Sequence, residues 1–261
     1  MKLEFKTVWS SVVITVVASV FGAEIRTPCK SGTKVVSKNP PKKEITSCTE
    51  MGSGVTIRNV ETVQSGNTNG TLKGFWPNGK LESQYSVKKE EQVDSFFRWD
   101  SSGNLTARGF YRNGKPSGKQ EAWFGVDRPK DVRYYDSNGF EDGPTFQWWP
   151  NGNKKLEGVK KQSNLTTATE FYPNGRPRVK YQIKHEPNRK LIFKSKYISA
   201  ESWAPNGKSC GKIQNGNGEW ILFPSGADST DRTTFREVYR DSLAIKIEKV
   251  DSATVSRWCE P

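Results

Sequence analysis

Histidine is almost missing from this chain: His185 is one residue in 261. A metal site built on a histidine pair is thereby excluded, and a nucleophile–histidine–acid triad has a single candidate base. Cysteine is scarce too, with four residues at positions 29, 48, 210 and 259. Their spacing offers no close pair of the kind that zinc sites use. No stretch of ten or more residues shows a strong helical period, which argues against helices as the main element. Acidic residues are in deficit, 28 against 41 Lys+Arg, for a formal net charge of +13. Hydrophobic residues make up only 33% of the chain, yet 9 Trp, 8 Tyr and 13 Phe are too many for a disordered polymer. No catalytic constellation, metal site or cofactor site is expected.

The first residues read as a secretory signal: Lys2 and Lys6, an apolar stretch from Val8 to Phe21, then Gly22 and Ala23 before a polar chain begins at Glu24. The stretch is short for a spanning helix and is interrupted by Ser10, Ser11, Thr15 and Ser19. The reading is therefore a signal peptide over 1–23, with retention as an anchor the alternative. An even cysteine count in an exported chain favours two disulfides, with three pairings open. Pairing each end on itself, Cys29 with Cys48 and Cys210 with Cys259, would close loops of about 20 and 50 residues, each worth roughly 3 to 4 kcal/mol.

Internal repetition organises the remainder. Aromatic residues precede a glycine turn in Phe75-Trp76-Pro77-Asn78-Gly79, Trp148-Trp149-Pro150-Asn151-Gly152, Phe171-Tyr172-Pro173-Asn174-Gly175 and Trp203-Ala204-Pro205-Asn206-Gly207. Looser copies end at Gly103, Gly114, Gly139 and Gly226. One pair of copies matches in strict register: Phe110 with Tyr135, Gly114 with Gly139, Gly118 with Gly143 and Trp123 with Trp148. The unit is about 24 residues, two short strands and two turns. Pro suits the first corner of a type I turn, Asn the second, and Gly the left-handed position that closes a three-residue hairpin with a bulge. The expected fold is all-β, an elongated single-sheet ribbon of stacked hairpins with disulfide-clasped ends. An N-terminal cap covers 24–65, the repeats 66–226 and a C-terminal cap 227–261.

A lone hairpin cannot bury its apolar face, so the aromatics are expected to stack into a ladder. Neighbours in a strand point to opposite faces, which leaves one of Trp148 and Trp149 outward as a candidate contact residue. Tyr181 to Ser202 lacks the turn signal and reads as a longer hairpin or a loop. His185, between Lys184 and Glu186, reads as solvent-exposed.

Tyr111-Arg112-Asn113-Gly114-Lys115-Pro116-Ser117-Gly118 followed by Trp123, Asn138-Gly139 through Gly143 to Trp148, and Asn215-Gly216-Asn217-Gly218-Glu219-Trp220 resemble the MORN-type repeat family, in particular the bacterial variant found in antitoxin-like and exported repeat proteins. The resemblance implies a scaffold without a general catalytic residue, with a protein partner. The stricter Gly-x-Gly of eukaryotic repeats occurs clearly only at Gly216 and Gly218, a departure from the repeats associated with phospholipid binding.

The excess positive charge favours a polyanionic or acidic partner. Lys80, Lys115 and Arg176 each follow a turn glycine and are expected to line one rim of the ribbon as an anion-facing stripe. Three functions follow: an exported protein-binding scaffold of antitoxin or immunity type, an envelope-surface module binding anionic lipid or cell-wall polymer, and an enzyme with a small domain over 208–261. The last lacks a visible grouping of acid, base and nucleophile. Export argues against nucleic acid as the partner.

Overall fold

The computed structural model describes residues 34–39, 42–50, 56–64, 70–89, 91–186, 194–224 and 233–251, together with 253, 255, 258 and 259. For 34–39, 42–50 and 56–64 the description is of backbone pairing. Residues 1–23, expected as a signal peptide, and Cys29 lie outside the described residues.

The strands, in chain order, are β1 (Lys34–Asn39), β2 (Lys42–Glu50), β3 (Thr56–Gln64), β4 (Gly70–Phe75), β5 (Leu81–Lys88), β6 (Glu91–Trp99), β7 (Leu105–Arg112), β8 (Lys115–Gly125) and β9 (Arg128–Tyr135). They continue as β10 (Gly143–Trp148), β11 (Lys154–Lys161), β12 (Asn164–Phe171), β13 (Pro177–Glu186), β14 (Lys194–Trp203), β15 (Ser209–Gln214), β16 (Asn217–Leu222), β17 (Thr234–Arg240) and β18 (Leu243–Val250). All eighteen form one antiparallel sheet in which each strand pairs with its neighbours in the chain. The segments expected as caps contribute strands to this same sheet, β1–β3 at one end and β17–β18 at the other.

The turn chemistry is the one expected from sequence. In the β4–β5 hairpin the Gly79 N–H donates to the Trp76 carbonyl (2.9 Å) and the Trp76 N–H to the Lys80 carbonyl (2.8 Å), with Gly79 at φ +83°. That is a type I turn closed by a left-handed glycine. The turns at 149–153, 172–176 and 204–208 repeat the same two bonds. At 100–104 and 136–140 an aspartate replaces the second aromatic and caps its own turn. Asp100 accepts the N–H groups of Ser102 and Asn104, and Asp136 those of Asn138 and Phe140. These bonds, with the Asn104 and Phe140 N–H groups foremost, hold both carboxyls below the usual range. The stretch from Tyr181 to Ser202 belongs to a longer hairpin, β13 and β14, of ten residues each. His185 is half-buried there, with Nε2 2.7 Å from the Leu165 carbonyl on β12, which corrects the expectation of a solvent-exposed side chain.

Strand alternation gives the sheet two faces. The back face holds the larger core: Val179, Ala200, Ile213, Trp220 and Tyr239, joined by Tyr181 and Tyr197. Tyr197 meets Tyr181, Trp220 and Tyr239 edge to face, with centroids 5.8, 5.0 and 5.3 Å away. Such pairs add about 1 kcal/mol beyond simple burial. Gly218 is needed here, because at φ +137° a Cβ would lie 2.2 Å from the Lys212 carbonyl oxygen. On the other face a second cluster of Ala204, Cys210, Ile221 and Cys259 is packed against Val250 and Val255. The chain leaving β18 crosses this face and is tied to β15 by the Cys210–Cys259 disulfide, whose partners are 49 residues apart.

Candidate binding surface

In an antiparallel meander alternate turns fall on opposite rims. The turns at 76–80, 100–104, 149–153, 172–176 and 204–208 share one rim, and those at 113–114, 136–140, 162–163, 215–216 and 241–242 the other. On the first rim the Pro-Asn-Gly turns at 76–80, 149–153 and 172–176 are each latched to the next turn along. Trp76 Nε1 donates to the Trp99 carbonyl (3.0 Å) and Asn78 Nδ2 to the Ser101 carbonyl (2.7 Å). Trp149 Nε1 donates to the Phe171 carbonyl (3.1 Å) and Asn151 Nδ2 to the Pro173 carbonyl (2.7 Å). The Tyr172 hydroxyl donates to the Trp203 carbonyl (2.7 Å) and Asn174 Nδ2 to the Pro205 carbonyl (3.1 Å). The same asparagines accept, through Oδ1, the N–H two residues on.

The second aromatic of each pair therefore serves the rim, and the first faces the sheet. Phe75, Trp99, Trp123, Trp148, Phe171 and Trp203 come from every second strand and form a half-buried row on the face opposite the tyrosine cluster. Phe97 stacks on Trp99 (5.8 Å), Phe146 lies tilted beside Trp148 (6.1 Å), and the Arg108 guanidinium sits 5.4 Å from the Trp123 ring centroid. Beside the row runs a groove of about 610 Å³ over β10–β15. Along its floor the register aligns Phe146, Glu157, Thr169, Lys180, Glu201 and Lys212, one per strand, so charge alternates across the strands. A parallel line of Pro144, Val159, Thr167, Gln182, Ser199 and Gln214 supplies neutral hydrogen-bonding groups and an apolar end. A surface of this kind can hold an extended chain by apolar contact at one end and by charge register along its length.

Of the two candidate contact residues, Trp148 lies in the row beside the groove. Trp149 is only 6% exposed, hydrogen-bonded at the rim and covered by Lys155 Nζ, 4.4 Å above its ring. The pair is not an exception to the repeat, since Phe75-Trp76 and Phe171-Tyr172 divide their roles in the same way. The expected single stripe of Lys80, Lys115 and Arg176 is corrected. Lys80 and Arg176 are on the latched rim, but Lys115 follows the 113–114 turn on the opposite rim. Lys80 Nζ donates to the Ser102 carbonyl (2.6 Å) and Arg176 Nη1 to the Asn206 carbonyl, so both are engaged with the next turn. Lys115 packs beside Gly139 on its own rim. The Cys210–Cys259 pairing is present as one of the pairings open from sequence. Cys48 is on β2, and Cys29, its partner in the pairing of each end on itself expected from sequence, is outside the described residues.

What sequence reasoning missed is the groove and the division of labour within the aromatic pairs. The available signal was the recurrence of two adjacent aromatics at strand ends, which a core-only reading treats as redundancy.

The fold and this surface define a class: a repeat-built, single-layer β-meander with one latched rim and an open face. The sequence pattern described as the MORN repeat variant matches residues 68–89, which contain the β4–β5 hairpin, and the chain thus carries a MORN-type repeat. No curated protein matches the chain.

Proposed function

We propose that the chain is an exported, non-enzymatic scaffold that lays a protein partner along the groove face, acting as a binder of antitoxin or immunity type. The observation that carries this reading is the groove, where Glu157, Lys180, Glu201 and Lys212 set alternating charge beside the aromatic row. The basic start and apolar stretch of the N-terminus support export, and the net charge of +13 favours a partner with acidic segments.

Lys180 and Lys212 are exposed strand residues, so reversing them should leave the fold intact. In a pulldown from envelope extract, the Lys180→Glu/Lys212→Glu chain is expected to lose the captured partner by tenfold or more. Identification of that partner and its titration against the purified wild-type chain complete the test. Equal capture by both chains would reject the groove as the site. Salt-suppressed binding to anionic vesicles or cell-wall polymer, without a protein partner, would favour the envelope-surface reading instead.

A further inference from the structure

One end of the groove face is covered by the chain itself. From Val250 on β18 the chain turns over that face and reaches Cys259, which is bonded to Cys210 on β15. Ala253, Val255 and Trp258 on this course are helical, and the N–H groups of Val255 and Cys259 each donate to the carbonyl four residues earlier at 3.0 Å. Val255 and Cys259 pack on Cys210 and Ile221, while the Arg236 guanidinium of β17 sits 4.4 Å from the Trp258 ring centroid. At the helical rise, Asp251 to Cys259 covers about 12 Å. The strand spacings between β18 and β15 add up to about 14 Å, so this segment crosses the strands and does not follow them. Arg236 in turn holds Glu219 of β16, which is paired in register with Lys212, the last residue of the charged row in the groove. The covered surface and the groove are therefore continuous, and the face accepts a helix laid across its strands.

We propose that the partner element held in the groove is an amphipathic α-helix laid across β10–β15, continuing the course of that segment; this rests on the groove being the binding site. The helix carries apolar residues over Phe146 and Val159 at one end. On three successive turns at the other end it carries an acidic residue over Lys180, a basic one over Glu201 and an acidic one over Lys212. Those three side chains are opposed in register on adjacent strands. Among the described residues none of the three is in an ion pair, so their charge is available to a partner. The spacing selects the helix over an extended strand. Adjacent strands are about 4.8 Å apart, and a helical turn of about 5.4 Å keeps step to within about 1 Å over the two intervals. Residues on one face of an extended chain recur about every 6.7 Å and fall nearly 4 Å out over the same distance. On the helix the acid, base and acid stand at i, i+4 and i+7, positions at which opposite charges also support the helix itself. Binding of an apolar and charged helix face in a groove is a mode that fits both ends of this row.

The test uses the full chain and three synthetic peptides of about 20 residues, long enough as helices to cross β10–β15. The first is a stapled helix with the apolar, acidic, basic, acidic order. The second has the same order with prolines at its centre, which bar the helix and leave an extended chain open. The third is the stapled helix with its three charges inverted. Calorimetric titration should show the first binding about tenfold or more tighter than either of the others. Lys180→Glu/Glu201→Lys/Lys212→Glu keeps opposite charges opposed within the row, and with an unchanged circular dichroism spectrum it should reverse the preference, taking the inverted helix in place of the first. Tighter binding of the proline peptide would overturn the helix and leave the groove as the site. Equal binding of the two stapled peptides, or no reversal by the triple variant, would overturn the charge register. Binding of none of the three would overturn the inference outright, and the groove would then stand or fall on partner capture by the Lys180→Glu/Lys212→Glu chain.

Discussion

Asn151 shows how one side chain joins two hairpins. Its Oδ1 accepts the Asn153 N–H at 3.1 Å within its own turn, while its Nδ2 donates to the Pro173 carbonyl at 2.7 Å in the next turn on that rim. Asn151→Ala removes both bonds, and Asn151→Asp keeps the acceptor while removing the donor. At about 1 kcal/mol per bond, chemical denaturation should show Asn151→Ala losing about 2 kcal/mol and Asn151→Asp about half of that. A larger loss for Asp than for Ala would contradict the latch. The Pro-Asn-Gly turn itself was legible in the sequence, because its geometry follows from three adjacent residues. The latch was not, because its acceptor lies 22 residues away and is brought close only by an intervening pair of strands. His185 was misread for the same reason: its sequence neighbours are charged, but its contact is the Leu165 carbonyl of the adjacent strand.

At the scale of elements, the hairpins β13–β17 gather the tyrosine cluster, and burial dominates its acid–base behaviour. It pushes Tyr197 up to about 12 and raises Tyr181 and Tyr239 as well, with the nearby Glu170 and Glu237 carboxylates acting in the same direction. The unfolded chain releases these phenolic protons near the ordinary value of 10.0 and the folded chain retains them. The contribution to stability is therefore complete below pH 10 and declines as pH rises through the folded value. Titration of tyrosinate absorbance should show Tyr197, Tyr181 and Tyr239 ionising late and together with unfolding, and Tyr197→Phe should remove part of that alkaline loss. An early, reversible titration of all eight tyrosines without loss of structure would refute the assignment. The same elements explain why sequence alone gave no preference for the back face. Val179, Ile213 and Trp220 alternate with Lys180, Lys212 and Glu219, but Arg178 sits at a bulge between Glu170 and Phe171 and reaches both Glu170 and the Phe223 carbonyl. A bulge of this kind breaks the alternation on which such a reading depends.

For the whole molecule, a chain of strands that each hydrogen-bond only with their sequence neighbours has nearly one-dimensional stability. Buried side chains are not spread evenly along it. Val87 is the only buried large apolar residue of β4–β9, whereas Val179, Ile213, Trp220, Ile221 and Tyr239 lie in β13–β17, which the Cys210–Cys259 disulfide also clasps. Amide hydrogen exchange should accordingly be slowest in β13–β17 and faster in β4–β9, with opening that spreads from the less buried end. Uniform protection along the sheet would show instead that the ribbon opens as one unit. The positive charge that dominates the composition does not collect in one stripe at this scale. The groove row alternates in sign, and Lys80 and Arg176 stand across the sheet from Lys115.

The sequence by itself determined the hairpin, its turn type, its repeat length and the all-β class. Those properties depend on a few consecutive residues whose φ preferences and alternation act locally. Tertiary structure decided which rim each turn occupies, which member of an aromatic pair faces the groove, and which end of the groove face the C-terminal segment covers. These depend on the number of strands between two turns and on the bulges that shift register, so they are set by the accumulated geometry of the sheet and by no single segment of it.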